Sequence, residues 1–385
     1  MVAIPIDKIL QDMPRLYQRI HKLHRFVFYQ HMGIFIRSTG NISPQPTFGH
    51  QLGQSFFQEK EGNRLRCMEP DYKEFIDPKL IRRMSRVIKM GVAAASACLK
   101  EAGIEMPDAI ITGTAYGCLE DTGLFLSRMV DQKEELLTPT AFIQSTHNTV
   151  GAQVALMLRC HQYNNTIVHR GFSFENALLD ALLLLEEHPG FFVMVGGVDE
   201  ITDTSHQILS RFGLYKPEKE MNTHLLGSGT KGTIAGEGAS FFLLTDQESE
   251  KNWAKLDGMS TYYKPASVVE IQNEILSFLM EHQIGMDEIN LVILGRNGDV
   301  SNDEVYDELE ASIFNKSACV NYKHLCGEYP TANAFALWLA ASIVKTNQLP
   351  EVFSGTKSSK DQFKKVLVYN HYQNIHHSLL LVSAC

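Results

Sequence analysis

The stretch Asn165-Thr-Ile-Val-His-Arg-Gly-Phe-Ser-Phe-Glu-Asn176, continued by the apolar run Ala177 to Leu185 and by Phe191-Phe-Val-Met-Val-Gly-Gly-Val-Asp-Glu200, decides how this chain folds. It reads as strand, turn and long helix over Thr166 to Glu187, followed by a second buried strand. A helix that starts just after a strand points free N–H groups and the positive end of its dipole into the turn. Such a turn suits a thiolate or a developing oxyanion. The residue at this turn is Gly171, which offers no side chain to activate.

Four further segments extend the pattern to both sides. Arg82-Arg-Met-Ser-Arg86 leads into an Ala-rich helix that runs to Gly103, and Ile110-Ile-Thr-Gly-Thr-Ala-Tyr-Gly-Cys-Leu119 reads as a core strand with a glycine turn. Gly232-Thr-Ile-Ala-Gly-Glu-Gly-Ala-Ser-Phe-Phe-Leu-Leu244 sets two glycines around an acid before an apolar strand, and Val320-Asn-Tyr-Lys-His-Leu-Cys-Gly327 reads as a loop. A second α/β series begins after Asp246: helix Ile271 to His282, strand Leu291 to Leu294, helices Glu304 to Phe314 and Thr331 to Lys345, then the closing pair Val366 to Tyr369 and Leu379 to Val382. Strands flanked by helices predict a mainly parallel sheet covered on both faces. No residue-level identity links the two series.

In this order the segments resemble the β-ketoacyl-acyl-carrier-protein synthases, over roughly Met32 to the C-terminus. The loop from Asn41 to Asp71 is similar to the chain-length-factor-like, aryl-polyene branch found in Bacteroidetes. The resemblance implies an α/β thiolase-like fold of five layers, αβαβα. Its units would be an extension over 1–31, a first half over 32–246 and a second half over 247–385. It also places the family's cysteine at Gly171, its first histidine at Gly295 in the loop Gly295-Arg-Asn-Gly-Asp299, and its second histidine at Glu328. Only the lysine remains, as Lys323. The family's C-terminal Gly-rich loop is replaced by Asn370-His-Tyr-Gln-Asn-Ile-His-His-Ser378. Decarboxylative condensation needs a thiolate to carry the acyl chain and imidazole donors to stabilise the enolate and oxyanion. A glutamate repels that charge, so these positions form a degenerate site.

Composition sets outer bounds. With 385 residues, 44% of them hydrophobic and 21% charged, the chain can bury a large core. The net charge of −9 argues against a nucleic-acid surface, and no apolar run is long enough to span a bilayer. Seven scattered cysteines suit a reducing cytoplasm. His371, His376 and His377 lack companions at zinc spacing, so they read as polar residues of a loop, and neither a metal nor a cofactor is implied.

Before Met32, residues Ile9, Leu10, Met13, Leu16, Tyr17, Ile20 and Leu23 recur at helical spacing beside Arg15, Arg19, Lys22 and Arg25. Asp7, Asp12 and Pro14 argue against a targeting peptide. Two readings stay open there, a start assigned too far upstream and a docking helix.

The polar run Gln144-Ser-Thr-His147 offers a Ser/His pair. Neighbours on one turn cannot present both groups to one reacting atom, so hydrogen bonding at a helix start is the expected role. Cys160 lies well before the Gly171 turn, and Ser173 is placed to cap rather than attack. The resemblance sets Phe125, Leu126, Met129, Ala141 and Phe142 beside an acyl tunnel, and Gln144, Thr146 and His147 at a subunit interface.

Three functions fit. The first is a catalytically silent subunit that pairs with an active ketosynthase, as chain length factors do in polyketide or fatty-acid-type synthesis, and meets an acyl carrier protein through that complex. The second is an acyl-thioester enzyme with altered chemistry, such as a decarboxylase, hydrolase or acyltransferase using Lys323 and Glu328. The third is a homodimeric scaffold.

Overall fold

The computed structural model describes residues 25–27, 33–49, 57–135, 137–353 and 362–385. Its strands are β1 (Arg25–Val27), β2 (Ile34–Ile42), β3 (Glu61–Gly62), β4 (Ala109–Gly113), β5 (Tyr163–Ile167), β6 (Val193–Asp199), β7 (Glu220–Met221), β8 (Gly238–Thr245), β9 (Ala254–Tyr263), β10 (Leu291–Leu294), β11 (Cys319–Asn321), β12 (Lys365–Tyr372) and β13 (His376–Ser383). Short β3 and β7 pair with each other; the rest form one hydrogen-bonded sheet in the order β11-β10-β12-β13-β9-β2-β8-β6-β4-β5, with β1 alongside β9.

That order contains a repeat. In the first half the strands run β2-β8-β6-β4-β5, and in the second β9-β13-β12-β10-β11. Taken in chain order within each half, both read first, fifth, fourth, second, third. The senses agree as well: β4 is parallel to β5 and β6, as β10 is to β11 and β12, while β8 and β13 are antiparallel to both of their neighbours. The halves join through a short antiparallel contact, Ile34–Ile36 against Ala254–Leu256. A repeat invisible in residue identity is thus explicit in hydrogen bonding.

One expectation is overturned. Six of the ten ladders in this sheet are antiparallel and four parallel, so the sheet is mixed rather than mainly parallel. Antiparallel neighbours need no crossover, and β12 turns directly into β13 with no helix between them.

Helices cover both faces of each half. Helices Arg86–Ala102 and Thr149–Leu158 lie on the outer face of the first half, and Val268–Glu281 and Val300–Ala311 on the outer face of the second. Ser173–Glu187 and Asn333–Thr346 form the middle layer, where Phe174, Leu178 and Leu182 share one core with Phe335, Leu337 and Leu339. The result is the five-layer, thiolase-like αβαβα arrangement. Asn333–Thr346 is apolar around its whole circumference and buried from Asn333 through Val344, as a helix caught between two sheets must be. Leu337→Ala in that layer is expected to cost about 2–5 kcal/mol. Gly103 ends the first outer helix at φ 70, a left-handed conformation that glycine adopts without Cβ strain.

Candidate functional site

The middle-layer helices start close to one another, and the two turns leading into them make the site. After β5, residues Arg170–Phe172 form a single 3-10 turn, and helix Ser173–Glu187 follows at once. Ser173 is fully buried; its Oγ accepts from the His169 N–H at 2.9 Å and donates to the Arg170 carbonyl at 2.9 Å, tying the turn together. Its hydroxyl is therefore spent on the backbone of the turn. Gly171 is buried, and a Cβ added there would stand 2.8 Å from Tyr372 Cβ and 2.9 Å from His376 Cγ. The space into which a nucleophile would project is already filled.

The filling comes from a hairpin where a loop was expected. Asn370–Tyr372 belong to β12 and His376–Ser378 to β13, with Tyr372 paired to His376 across the ladder. Gln373 and Asn374 close the turn at φ 55 and 51. His371, His376 and His377 are buried strand residues, which corrects their reading as loop polars. His371 Nδ1 accepts from the Asn374 N–H at 3.0 Å, so its Nε2–H donates to the Asn302 carbonyl at 3.1 Å. Burial drives its pKa well below the ordinary value, helped by His377 and Lys323, and the ring stays neutral. The His376 and Phe172 rings meet at right angles, with centroids 4.8 Å apart; burial lowers the His376 pKa to about 4. No group of three or more potential metal ligands occurs among the described residues.

At the second turn, Lys323 opens the short helix Lys323–Cys326 and is fully buried. Its Nζ donates to Glu328 Oε2 at 2.8 Å and to the His371 carbonyl at 3.0 Å. Asn297 Nδ2 donates to the same Glu328 oxygen at 2.6 Å. Glu328 Oε1 is buried with no partner. Gly295 is not part of this group: a Cβ there would lie 2.2 Å from Asn370 Oδ1 and 2.8 Å from the Tyr306 hydroxyl, so it faces the packed end of β12. The residue of that loop that reaches Glu328 is Asn297. Asp303 folds the loop by accepting from Asn297 N at 2.9 Å and Gly298 N at 2.8 Å, and burial pushes its carboxyl up to about 6. The pair Asn297-Gly298 followed closely by an acid is the sequence signal that could have located this turn.

Glu328, Asn297, Asp299 and Tyr372 line a half-open cleft of about 180 Å³ whose apolar wall includes Phe212 and Tyr215. Tyr372 separates this cleft from Gly171, and its hydroxyl lies 3.3 Å from that of Tyr116. Two carboxylates, Glu328 and Asp299, thus stand in the cleft wall, with the Lys323 ammonium held behind Glu328. That arrangement disfavours a developing anion.

Sequence reasoning missed two buried carboxylates that lock the halves together. Asp199, at the end of β6, accepts from Thr114 Oγ1, Ala115 N and Tyr116 N at 2.9 Å each, and from Thr331 Oγ1 at 2.8 Å. Glu175 accepts from Asn333 Nδ2 at 2.9 Å, one middle-layer helix start bonding the other. Burial raises the Glu175 pKa to about 7. The acid of the Gly-Glu-Gly-Ala segment, Glu237, takes a bidentate pair from Arg86 at 2.6 Å and 2.6 Å.

The residues assigned to a tunnel or interface gather in the first half, on the segments that follow the Tyr116-Gly117 turn. Phe125 and Phe142 pack ring to ring at 5.7 Å, with Phe142 57% and Leu126 47% exposed. Met129 and Ala141 are half-buried in the same helices, Leu119–Asp131 and Pro139–Gln144. Gln144 Nε2 donates to the Arg83 carbonyl at 2.5 Å, and Thr146 Oγ1 to the Ile143 carbonyl at 2.9 Å. His147 is exposed and lies under the Gly117 turn. Cys160 is buried, its Sγ 3.7 Å from the Pro107 carbonyl.

Residues 59–213 match the family model of the beta-ketoacyl synthase N-terminal domain. Solved structures with this fold include the ishigamide ketosynthase/chain length factor, at 16% identity and TM-score 0.73, covering 92% of this chain and 100% of that one. A ketosynthase (ApeO) in complex with its chain length factor (ApeC) from Xenorhabdus doucetiae gives 16% identity and TM-score 0.70, covering 93% and 100%. A beta-ketoacyl synthase from Burkholderia phymatum STM815 gives 15% and 0.71, covering 92% and 100%. Comparison with curated protein sequences gives no match. Among the described residues no helix is long and apolar enough to cross a membrane.

Proposed function

We propose that this chain, which carries a β-ketoacyl synthase N-terminal domain over residues 59–213, is a non-condensing subunit that pairs with an active β-ketoacyl synthase, in the manner of a chain length factor. The observation that carries the reading is the Gly171 turn, which has neither a nucleophile nor room for one. Lys323, freed from organising histidines, serves as the counter-ion of Glu328. The halves 32–246 and 247–385 act as one rigid support for the partner's site. The reaction takes place in the cytoplasm.

The pairing surface is the outer end of the first half. There β5 closes the sheet with one backbone edge unpaired among the described residues; Leu156 and Val168 are exposed beside it, and Leu126, Phe142 and Ile143 are exposed elsewhere in the same half. An open strand edge flanked by exposed apolar side chains is an association surface, and a free monomer would carry it as a liability. Two of the structural neighbours are ketosynthases with a chain length factor, and a third is a type II PKS acyl-carrier protein in complex with its ketosynthase. An acyl carrier protein would accordingly meet this chain through the complex.

The test is acyl transfer from an acyl-carrier thioester to the isolated protein, followed by mixing with a synthase that has an intact Cys-His-His set. The expected result is no covalent adduct and no turnover alone, with activity appearing on mixing. Glu328, a cleft-lining carboxylate whose buried Oε1 has no partner, favours one second reading, an enzyme of altered chemistry. Decarboxylation or hydrolysis by the isolated chain, lost in Glu328→Gln, would establish that reading instead. A stable homodimer that ignores every synthase would leave a scaffold.

A further inference from the structure

Glu175 and Asn333 stand in the first turns of the two middle-layer helices, Ser173–Glu187 and Asn333–Thr346, and both are fully buried. Asn333 uses both amide hydrogens: Nδ2 donates to Glu175 Oε1 at 2.9 Å and to Ser378 Oγ, on β13, at 3.2 Å. The remaining oxygens of the same two side chains, Glu175 Oε2 and Asn333 Oδ1, are buried with no hydrogen-bond partner among the described residues. A carboxylate beside a carboxamide would leave both as unmatched acceptors in a space closed to solvent, which is costly.

A single proton on Glu175 satisfies both oxygens. A carboxylic acid and a carboxamide associate through two parallel hydrogen bonds, an N–H to one carboxyl oxygen and an O–H to the amide oxygen. The first of these is already in place. Burial pushes the Glu175 carboxyl up to about 7, against its own N–H, Ser378, Asn333 and the Lys323 charge, all of which favour the ionised form.

We propose that Glu175 is a carboxylic acid in the folded chain, its Oε2–H donating to Asn333 Oδ1, and that this acid–amide ring is a proton-operated latch between the two middle-layer helices. As pH rises past neutrality the proton leaves, a carboxylate oxygen opposes the amide oxygen, and one of the two bonds of the ring is lost. Both turns of the site rest on these helix starts. Glu175 lies one helical turn beyond Gly171, and Asn333 just beyond Thr331, whose hydroxyl donates to Asp199 at 2.8 Å. The hairpin that fills the Gly171 turn is tied in as well, because Ser378 belongs to β13. The inference goes beyond the proposed function and holds whether or not the chain pairs with a synthase, since Glu175, Asn333 and Ser378 are buried and line neither the cleft nor the pairing surface.

The experiment compares the full chain with two full-length variants: Glu175→Gln, whose carboxamide can form the same ring without a titrating proton, and Asn333→Leu, which cannot form it. Infrared spectra at about pH 6, where unperturbed carboxyls are ionised, report carboxylic acids through their C=O band. The difference between the parent and Glu175→Gln should contain one such band, lost as pH is raised to about 8.5. Glu200 and Asp303, also raised by burial, are present in both proteins and cancel. In Asn333→Leu the band should move to higher wavenumber, because the acid no longer has the amide to bond. Amide hydrogen exchange over 173–180 and 333–340, corrected for the intrinsic dependence of exchange on pH, should rise several-fold across the same pH range in the parent and stay level in Glu175→Gln. Absence of a Glu175 acid band overturns the proposal, and a band that Asn333→Leu leaves unmoved overturns the ring. Exchange that stays level in the parent, or rises equally in Glu175→Gln, overturns the latch. If Asn333→Leu fails to fold, Asn333→Ser takes its place; if Glu175→Gln fails to fold, the parent's exchange profile decides, level exchange counting against the latch.

Discussion

The two turns that feed the middle layer occupy equivalent places in a repeated topology, yet they have different contents. The Gly171 turn is closed by apolar and aromatic atoms, to the point that a single added carbon meets Tyr372 and His376. The Lys323 turn keeps a buried charge pair, an asparagine donor and an open cleft. A site that merely lost its nucleophile would leave a hole beside the glycine. Here the hole is filled by the hairpin, while the second turn retains ion-pair architecture whose donors, Lys323 and Asn297, are taken up by Glu328. The first turn is sealed and the second is structural, and each contrast can be attacked by substitution.

The largest effect should come from the charged turn. Lys323→Ala leaves Glu328 buried beside only Asn297, and removing one member of a buried pair typically costs about 3–5 kcal/mol. Thermal unfolding should show a large fall in Tm, while specific activity per surviving complex with a synthase changes little. An unchanged Tm with abolished turnover would instead give Lys323 a chemical role.

At the sealed turn, Gly171→Cys places a Cβ against Tyr372 Cβ, which cannot swing away as a side-chain tip could. Overpacking of this kind costs about 1–3 kcal/mol. The variant should be destabilised and should form no acyl adduct in mass spectrometry, since Glu328 and Asn297 supply no oxyanion pocket. Pairing it with Tyr372→Ala should recover part of the lost Tm. Failure of that rescue would show that the hairpin does not fill the turn.

A smaller, pH-dependent effect lies between the turns. Burial raises Glu175 to about 7 in the folded chain, against about 4.3 for an unperturbed glutamate. Between those values the folded state holds a proton that the unfolded state has released, so stability falls as pH rises through this window and is level above it. Glu175→Gln should flatten that fall, giving a higher Tm than the parent at pH 8 and little difference at pH 4. Parallel Tm-versus-pH curves for the two proteins would refute this account.

The sequence was legible where local pattern and packing coincide. Gly171 sits in the strand-turn-helix read from Thr166 to Glu187, and β10 runs from Leu291 to Leu294 as its apolar run predicts. It was illegible where the answer depends on atoms far apart in the chain. Asn370 to Ser378 has the polarity of a loop, and only its pairing against β9 makes it a buried hairpin. The same long-range packing decides between Gly295 and Asn297, two residues apart: one meets Asn370, the other Glu328. The senses of the ladders are likewise a property of connections, which hydrophobic pattern does not encode.

The gentlest test reaches the pairing surface, where side chains act on the partner's product rather than on this chain's stability. Phe142 and Leu126 are exposed, and the Phe125 ring packs tilted against Phe142, so the patch is an apolar wall. Truncating an exposed side chain of this kind usually changes stability by no more than about 0.5 kcal/mol. If a partner's acyl tunnel ends on this wall, bulk there stops chain growth without touching chemistry. Phe142→Ala or Met129→Ala in the reconstituted complex should then lengthen the products, and Ala141→Leu should shorten them, with Tm nearly constant throughout. An unchanged product distribution in complexes that still form would place the wall outside the tunnel. The contrast between the turns would then describe a support for the partner, with length set elsewhere.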